Sequence, residues 1–317
     1  MGCFYGIGSF LPSPRQEKLT TPCLGKAPDP FYTQGVNTKT TIATLQQRKA
    51  DGVPVPVLTC YDFAMARVMA AAGIECILVG DTIGEVVLGH DSTLPVTMDL
   101  MVSACGAVRR GAPDAYIIGD MPYLSFQVSH EQAITNSGRL MAEGGCDAVK
   151  IECDQRHCDV VAAMARATIP VVAHIGLRPQ SIHQAGGYKA QGRNAAQAVE
   201  LIEQAVALEL AGAAMLLLEA VPSEPARIIT ERSGVPVVGC GAGPHCDAQV
   251  VVLYDMLGLT GQTPPRFVKQ YAQLQEVLLA AMTEYREDVV NRKFPTSDHS
   301  YPMTEQQQQE LQQLLRH

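Results

Sequence analysis

Cys76-Ile77-Leu78-Val79-Gly80-Asp81 is the stretch from which the fold can be read. Its apolar residues run without a polar break, so a strand here has no face for water. That is the pattern of a parallel sheet covered on both sides, not of a half-exposed antiparallel one. The run stops at a carboxylate. Outward from it the same pattern returns at residues 55–60, 115–120, 148–152, 170–175, 213–219 and 236–241, with a weaker eighth run at 249–254. Between these runs lie helical stretches at 62–72, 98–110, 130–143 and 195–211. Gly73, Gly111, Gly144 and Gly212 follow them, where a left-handed residue commonly ends a helix. Eight strand–helix units predict an α/β fold of the (β/α)8 (TIM) barrel type, in preference to an open doubly wound sheet.

The length agrees. A barrel takes about 250 residues, and the chain has 317. Residues 1–36 contain five Gly and five Pro with no sustained period and read as a flexible extension. Residues 37–303 form the expected barrel domain. Residues 304–317 are a polar, Gln-rich tail with Leu311, Leu314 and Leu315 as an apolar stripe, expected to fray or to dock as one short helix. Before it, Phe267, Tyr271, Leu274, Leu278, Ala281 and Tyr285 recur at helical spacing and predict a long helix over 266–291.

Composition excludes several classes. Lys and Arg total 24 against 32 Asp and Glu, a net charge of −8. An acidic chain without a basic block does not suit nucleic acid or an anionic membrane surface. No apolar run reaches the roughly 20 residues of a membrane-spanning helix. The start lacks a secretory pattern, and Gly6 stands where Met1-Gly2-Cys3 would need Ser or Thr for myristoylation. A cytoplasmic protein is expected. The ten cysteines show no CxxC spacing and several lie within apolar runs, so they read as reduced, buried thiols. A catalytic thiol at Cys153, beside Glu152, is the alternative. GxGxxG fails at Pro244, HExxH fails after His130-Glu131 for want of a second His, and no P-loop or GxSxG occurs.

Barrel chemistry collects where strands end. Here the ends carry Asp81, Asp120, Lys150 with Glu152, His174, and Glu219. One such carboxylate could be a helix cap, but four at successive strand ends crowd one mouth and call for a cation. Oxygen ligands without a His or Cys cluster suit a hard ion, Mg²⁺ before Mn²⁺ or Ca²⁺. Lys150 and Glu152 lie two apart and share a strand face, either as a structural ion pair or as a metal-facing carboxylate beside an ammonium for an anionic substrate. His174 is either a core histidine or part of the active-site wall. The Gly-rich segment 184–193 reads as a lid or as a plain surface loop.

Three long strings carry a family resemblance. They are Gly89-His90-Asp91-Ser92-Thr93-Leu94-Pro95-Val96-Thr97, Gly186-Gly187-Tyr188-Lys189 with Gln191-Gly192-Arg193, and His174-Ile175-Gly176-Leu177 with Pro179-Gln180-Ser181. With Val79-Gly80-Asp81-Thr82 and Val149-Lys150-Ile151-Glu152, they resemble the ketopantoate hydroxymethyltransferases over about residues 40–301. The resemblance implies a barrel of the phosphoenolpyruvate/pyruvate superfamily and a homodecamer. It implies transfer of a one-carbon unit from 5,10-methylenetetrahydrofolate to 3-methyl-2-oxobutanoate, giving 2-dehydropantoate for pantothenate synthesis. It implies Asp81 and Asp120 as Mg²⁺ ligands that also face the substrate, and Glu152 as a further ligand, direct or through water. It implies Lys150 on the substrate carboxylate and Glu219 as general base, acting on a Mg²⁺-stabilised enolate. Thr82 departs from the family's usual Ser while keeping the hydroxyl and backbone N–H expected to bind the substrate carboxylate. Two rivals are weaker: a lyase of the isocitrate lyase type, whose KKCGH string is absent, and a silent scaffold barrel, which would be expected to lose a strand-end carboxylate.

Overall fold

The computed structural model describes residues 38–187, 191–261 and 263–316. The expected flexible extension over 1–36 lies outside these residues, as do positions 188–190 of the expected lid. Eight parallel strands close a barrel in sequence order. They are β1 Val55–Thr59, β2 Cys76–Val79, β3 Tyr116–Asp120, β4 Ala148–Glu152, β5 Val171–Gly176, β6 Met215–Glu219, β7 Val237–Cys240 and β8 Ala248–Val251. The expected (β/α)8 barrel is therefore present. The eighth strand is displaced from its predicted span: it pairs from Ala248, and the chain has already entered a short helix by Leu253.

The continuous apolar runs resolve into two alternating sets. Val57, Cys76, Leu78, Tyr116, Ile118, Val172, Met215, Leu217, Val238 and Val250 fill the barrel interior. Their sequence neighbours Ile77, Val79, Ile117, Val149, Ile151, Val171, Ile175, Leu216, Leu218 and Val237 pack outward under the helices. A strand side chain alternates faces, so both faces must be apolar for the barrel and the helix layer to be dry. The helix before the barrel, α1 Ile42–Ala50, adds Leu45 to the interior cluster.

The outer helices are α2 Phe63–Ala71, α3 Ile83–Val86, α4 Met98–Gly111, α5 His130–Ala142, α6 Cys158–Arg166, α7 Ile182–Ala185, α8 Ala195–Leu210, α9 Ser223–Arg232 and α10 Leu253–Met256. Four start on side-chain caps: Asp62 accepts from Met65 N–H, Thr97 from Leu100, Ser129 from Gln132 and Asn194 from Gln197. Each cap contributes about 1 kcal/mol and fixes where the strand-end loop hands over to helix. Two predicted terminal glycines act differently. Gly111 is still helical, and a Cβ there would lie 2.5 Å from Phe63 O and 2.6 Å from Ala66 Cβ, so it permits close approach of α2 and α4. After α5 the left-handed residue is Gly145, one beyond the expected Gly144.

The C-terminal helix α11 spans Leu274–Val290, not 266–291. Tyr271 N–H donates to Met256 O and Leu274 N–H to Leu257 O, both at 2.8 Å, so the chain before it spends its donors on the α10 turn. Phe267 is apolar for another reason: its ring sits against Gly241, where a Cβ would come within 2.7 Å. None of the residues of α11 is buried, and Val277, Leu279, Met282, Tyr285 and Val290 are exposed. The tail forms α12 Glu305–Leu314, and its Leu311, Leu314 and Leu315 are exposed as well. No described helix is long and apolar enough to cross a membrane.

Candidate active site at the C-terminal mouth of the barrel

The interior series turns polar at its last positions, and the barrel register brings those positions together. Asp120 lies opposite Lys150, Glu152 opposite His174, and Glu219 opposite Cys240. Thr59, Asp81, Thr82, Asp120, Lys150, Glu152, His174 and Glu219 line a cavity of about 780 Å³. Every candidate read from the strand ends is therefore in one site. Cys153 is not among its lining residues. It points outward into the helix–strand core, and burial pushes its thiol far above the usual range, so it is not an available thiolate. The eight described cysteines are free thiols.

Lys150 is the cation of the floor. Its Nζ lies 2.8 Å from Asp120 Oδ2 with both side chains buried. The expected pairing within β4 thus goes instead to the neighbouring strand, because Asp120 and Lys150 are in register. The same Asp120 oxygen accepts the Asp81 N–H at 3.1 Å, which fixes the turn after β2. Burial opposes the ammonium, but the charges of Asp120, Asp81 and Glu152 outweigh it and hold Lys150 protonated above the ordinary lysine range. The carboxylates are under the converse stress. Burial, reinforced by Asp81 and opposed by Lys150, pushes Asp120 up to about 8. Burial also raises Glu152 well above its usual value, against Lys150 and with Asp81 and Asp120 adding to the effect. One ammonium does not balance this many carboxylates in a dry mouth.

Two atoms show where the missing positive charge would sit. Asp120 Oδ1 and Glu152 Oε1 are buried and have no hydrogen-bond partner among the described residues. Orphaned carboxylate oxygens facing surplus negative charge fit a hard divalent ion. No three Asp, Glu, His or Cys side chains among the described residues are gathered to hold an ion on their own. That suits Mg²⁺, which is commonly held by one or two carboxylates and completed by substrate and water.

Gln180, which the strand-end reading passed over, organises the carboxylates. Its Nε2 donates to Asp81 Oδ2 and to Met121 O, both at 2.9 Å, its N–H donates to Glu152 Oε2 at 2.9 Å, and its Oε1 accepts from Gln127 at 3.3 Å. It lies on the loop after β5. That loop is tied to the loop after β4 through Arg178, whose Nη1 donates to Asp154 Oδ2 at 2.8 Å. Tyr61 is a second unforeseen residue. Its hydroxyl donates to Thr59 Oγ1 at 2.9 Å and lies 2.7 Å from Thr82 Oγ1, so the Thr82 hydroxyl is oriented from below.

On the far side of the floor His174 Nδ1 is 3.4 Å from Lys150 Nζ. An ammonium has only donors, so Nδ1 accepts and the proton of the neutral ring sits on Nε2. Burial, helped by Lys150 and opposed by Glu219, lowers the His174 pKa and keeps the ring neutral. Its Nε2 faces Glu219 Oε2 at 3.3 Å, close but outside hydrogen-bond geometry. His174 is thus a buried wall of the site, and Glu219, half-buried, presents a carboxylate to the cavity.

Sequence comparison agrees with this arrangement. A model of the ketopantoate hydroxymethyltransferase family matches residues 39–297. The chain belongs to this family. A 3-methyl-2-oxobutanoate hydroxymethyltransferase from Thermoanaerobacter sp. (strain X514) is 46% identical over 265 residues, covering 84% of this chain and 97% of the relative. The enzyme of that name from Geotalea daltonii is 48% identical over 262 residues, 83% of this chain and 98% of its own. Among solved structures, a 2,3-dimethylmalate lyase of the PEP mutase/isocitrate lyase superfamily superposes with a TM-score of 0.54 at 18% identity, covering 87% of this chain and 96% of its own. A phosphoenolpyruvate phosphomutase from Streptomyces platensis subsp. rosaceus gives 0.55 at 16%, covering 87% and 99%. At such identities these two share the fold. The family match is what separates this chain from lyases on the same barrel.

Proposed function

We propose that the chain transfers a hydroxymethyl unit from 5,10-methylenetetrahydrofolate to 3-methyl-2-oxobutanoate, forming 2-dehydropantoate and tetrahydrofolate. The observation that carries this reading is the mouth itself: paired, cation-deficient carboxylates and a lone ammonium on one side, and a separate carboxylate on the other. Asp81 and Asp120 would hold Mg²⁺, with Glu152 reaching it through water. When bound, the metal supplies a Lewis acid that lowers the cost of negative charge on the keto oxygen.

The residues of the chain do the rest. Lys150, kept charged by its carboxylate neighbours, pairs with the substrate carboxylate, and the Thr82 N–H receives it from the β2 end, the Thr82 hydroxyl proton being given to Tyr61. Glu219 takes the C3 proton, since it stands on a different strand from Asp120 and Lys150 and is not engaged by the ammonium. The neutral ring of His174 stands behind the Glu219 carboxylate as a wall. The electron pair left at C3 forms a bond to the donor's methylene carbon as one C–N bond breaks. Water supplies the hydroxyl oxygen as the second C–N bond breaks, and the C3 hydrogen and one water hydrogen end on the two folate nitrogens.

The exposed apolar residues of α11 and α12 support assembly with further copies of the chain, in line with the expected homodecamer. The free cysteines support a reducing compartment, and we place the enzyme in the cytoplasm. The test is formation of 2-dehydropantoate from the oxo acid and methylenetetrahydrofolate, before and after EDTA. We expect folate-dependent product, lost with EDTA and restored by Mg²⁺. Product formation indifferent to folate or to EDTA overturns the corresponding half of the reading.

A further inference from the structure

The cavity is far larger than a five-carbon oxo acid requires. Pockets of about 300–1,000 Å³ hold drug-sized ligands, and this one is about 780 Å³. Its floor is the carboxylate cluster. Its outer part is built by α10 and the chain beyond it, where Asp255, Thr260, Arg266 and Phe267 line the wall with Val86 and Leu259.

That wall has an ordered polarity. Asp255 is half-buried, and burial raises its carboxyl against the Thr260 hydrogen bond. Thr260 Oγ1 donates to Asp255 Oδ1 at 3.3 Å. Asp255 and Glu219 line the same cavity, so the carboxylate belongs to the same chamber as the proposed base. Phe267 rests one face of its ring on Gly241 and is 43% exposed. Arg266 is an exposed cation on the same segment.

A reduced pterin presents N3–H and the 2-amino group side by side, two parallel donors that a carboxylate receives together. Beyond the pterin lie an aromatic ring and then the glutamyl carboxylates. We propose that Asp255 anchors the pterin edge of the folate donor, with Phe267 against the aminobenzoyl ring and Arg266 meeting the glutamyl carboxylates. The inference rests on the folate-donor reading above. It makes Asp255 the determinant that selects a 2-amino-4-oxo pterin over other one-carbon carriers. The acceptor geometry matters beyond charge: Asn at 255 would put an NH₂ against the pterin's donors.

The experiment is titration calorimetry of tetrahydrofolate into the full-length enzyme and its Asp255→Asn and Asp255→Ala variants, with no oxo acid present. The same titrations are run with 2-desamino-tetrahydrofolate. Loss of a charge-assisted pair weakens binding about 10–100-fold, and we expect that rise in Kd for both variants. The desamino compound keeps only N3–H, so it should bind wild type more weakly than tetrahydrofolate does and lose less than tetrahydrofolate does in the variants. A wild-type circular dichroism spectrum and urea midpoint show that the variants are folded. Unchanged tetrahydrofolate binding in Asp255→Asn, with folate-dependent transfer intact in wild type, overturns the anchor and leaves the donor reading standing. A wild-type enzyme that neither binds tetrahydrofolate nor uses its methylene derivative removes the donor reading and this inference with it.

Discussion

Replacing Gln180 by Leu tests the assembly of the carboxylate floor. The amide is 5% exposed and donates two bonds at 2.9 Å, one to Asp81 Oδ2 and one to the Met121 carbonyl. Leu fills similar space and donates nothing, so both acceptors are left buried and unpaired. Each such loss costs about 1–3 kcal/mol, the higher end for the charged Asp81. The two share one donor atom and do not simply add, which puts the expected destabilisation at roughly 3 kcal/mol by urea unfolding. Asp81 also loses the contact that aims it. A charge-assisted bond of about 1.5–3 kcal/mol, if felt in the transition state, corresponds to a 10–150-fold fall in kcat/KM. Gln180→Ala should lose less stability than Gln180→Leu, because the vacated space is polar and admits a bridging water. A Gln180→Leu enzyme within about 0.5 kcal/mol of wild type, with kcat/KM unchanged, refutes the reasoning.

Three further outcomes are expected. Asp81→Asn and Asp120→Asn each abolish turnover at stoichiometric Mg²⁺ while retaining the wild-type circular dichroism spectrum; near-normal activity in either would remove that residue from the metal site. Glu219→Gln loses about 10²–10⁴-fold both in overall transfer and in exchange of the C3 proton with D₂O when folate is omitted, and normal exchange would assign the base elsewhere. At Asp154 burial raises the carboxyl, but hydrogen bonds from His157, Arg156 and Arg178 overcome it and hold the group well below its usual value. Such a group stabilises the fold above its unfolded pKa of about 3.9, and the contribution fades as pH falls toward the folded value. The stability lost in Arg178→Ala should therefore be constant from pH 5 to 8 and shrink only below about pH 4; a loss that varies across the neutral range points to a different group.

The barrel and its polar mouth were legible because one physical cause writes both. A strand buried on two faces must be apolar throughout, so Asp120, Lys150 and Glu219 interrupt such runs only where the interior opens. Gln180 and Tyr61 left no such mark: an amide on a short 3₁₀ turn and a tyrosine just past β1 break no period, and their roles depend on partners such as Asp81 for Gln180 and Thr82 for Tyr61 that lie elsewhere in the sequence. The early start predicted for α11 has the reverse cause. Phe267 and Tyr271 fall on its helical period, but one is apolar to cover Gly241 and the other gives its N–H to Met256.

The alternation along the strands also bears on how such a chain can change. Inward and outward positions of one strand answer to different demands, so a substitution at the last inward site alters the chemistry of the mouth without disturbing the contacts under the helices. Gly119, set against Cys105 and Cys146, and Val149 face the helices next to Asp120 and Lys150, which face the mouth. New activities can accumulate on a lineage of this architecture a residue at a time, each step stable enough to survive.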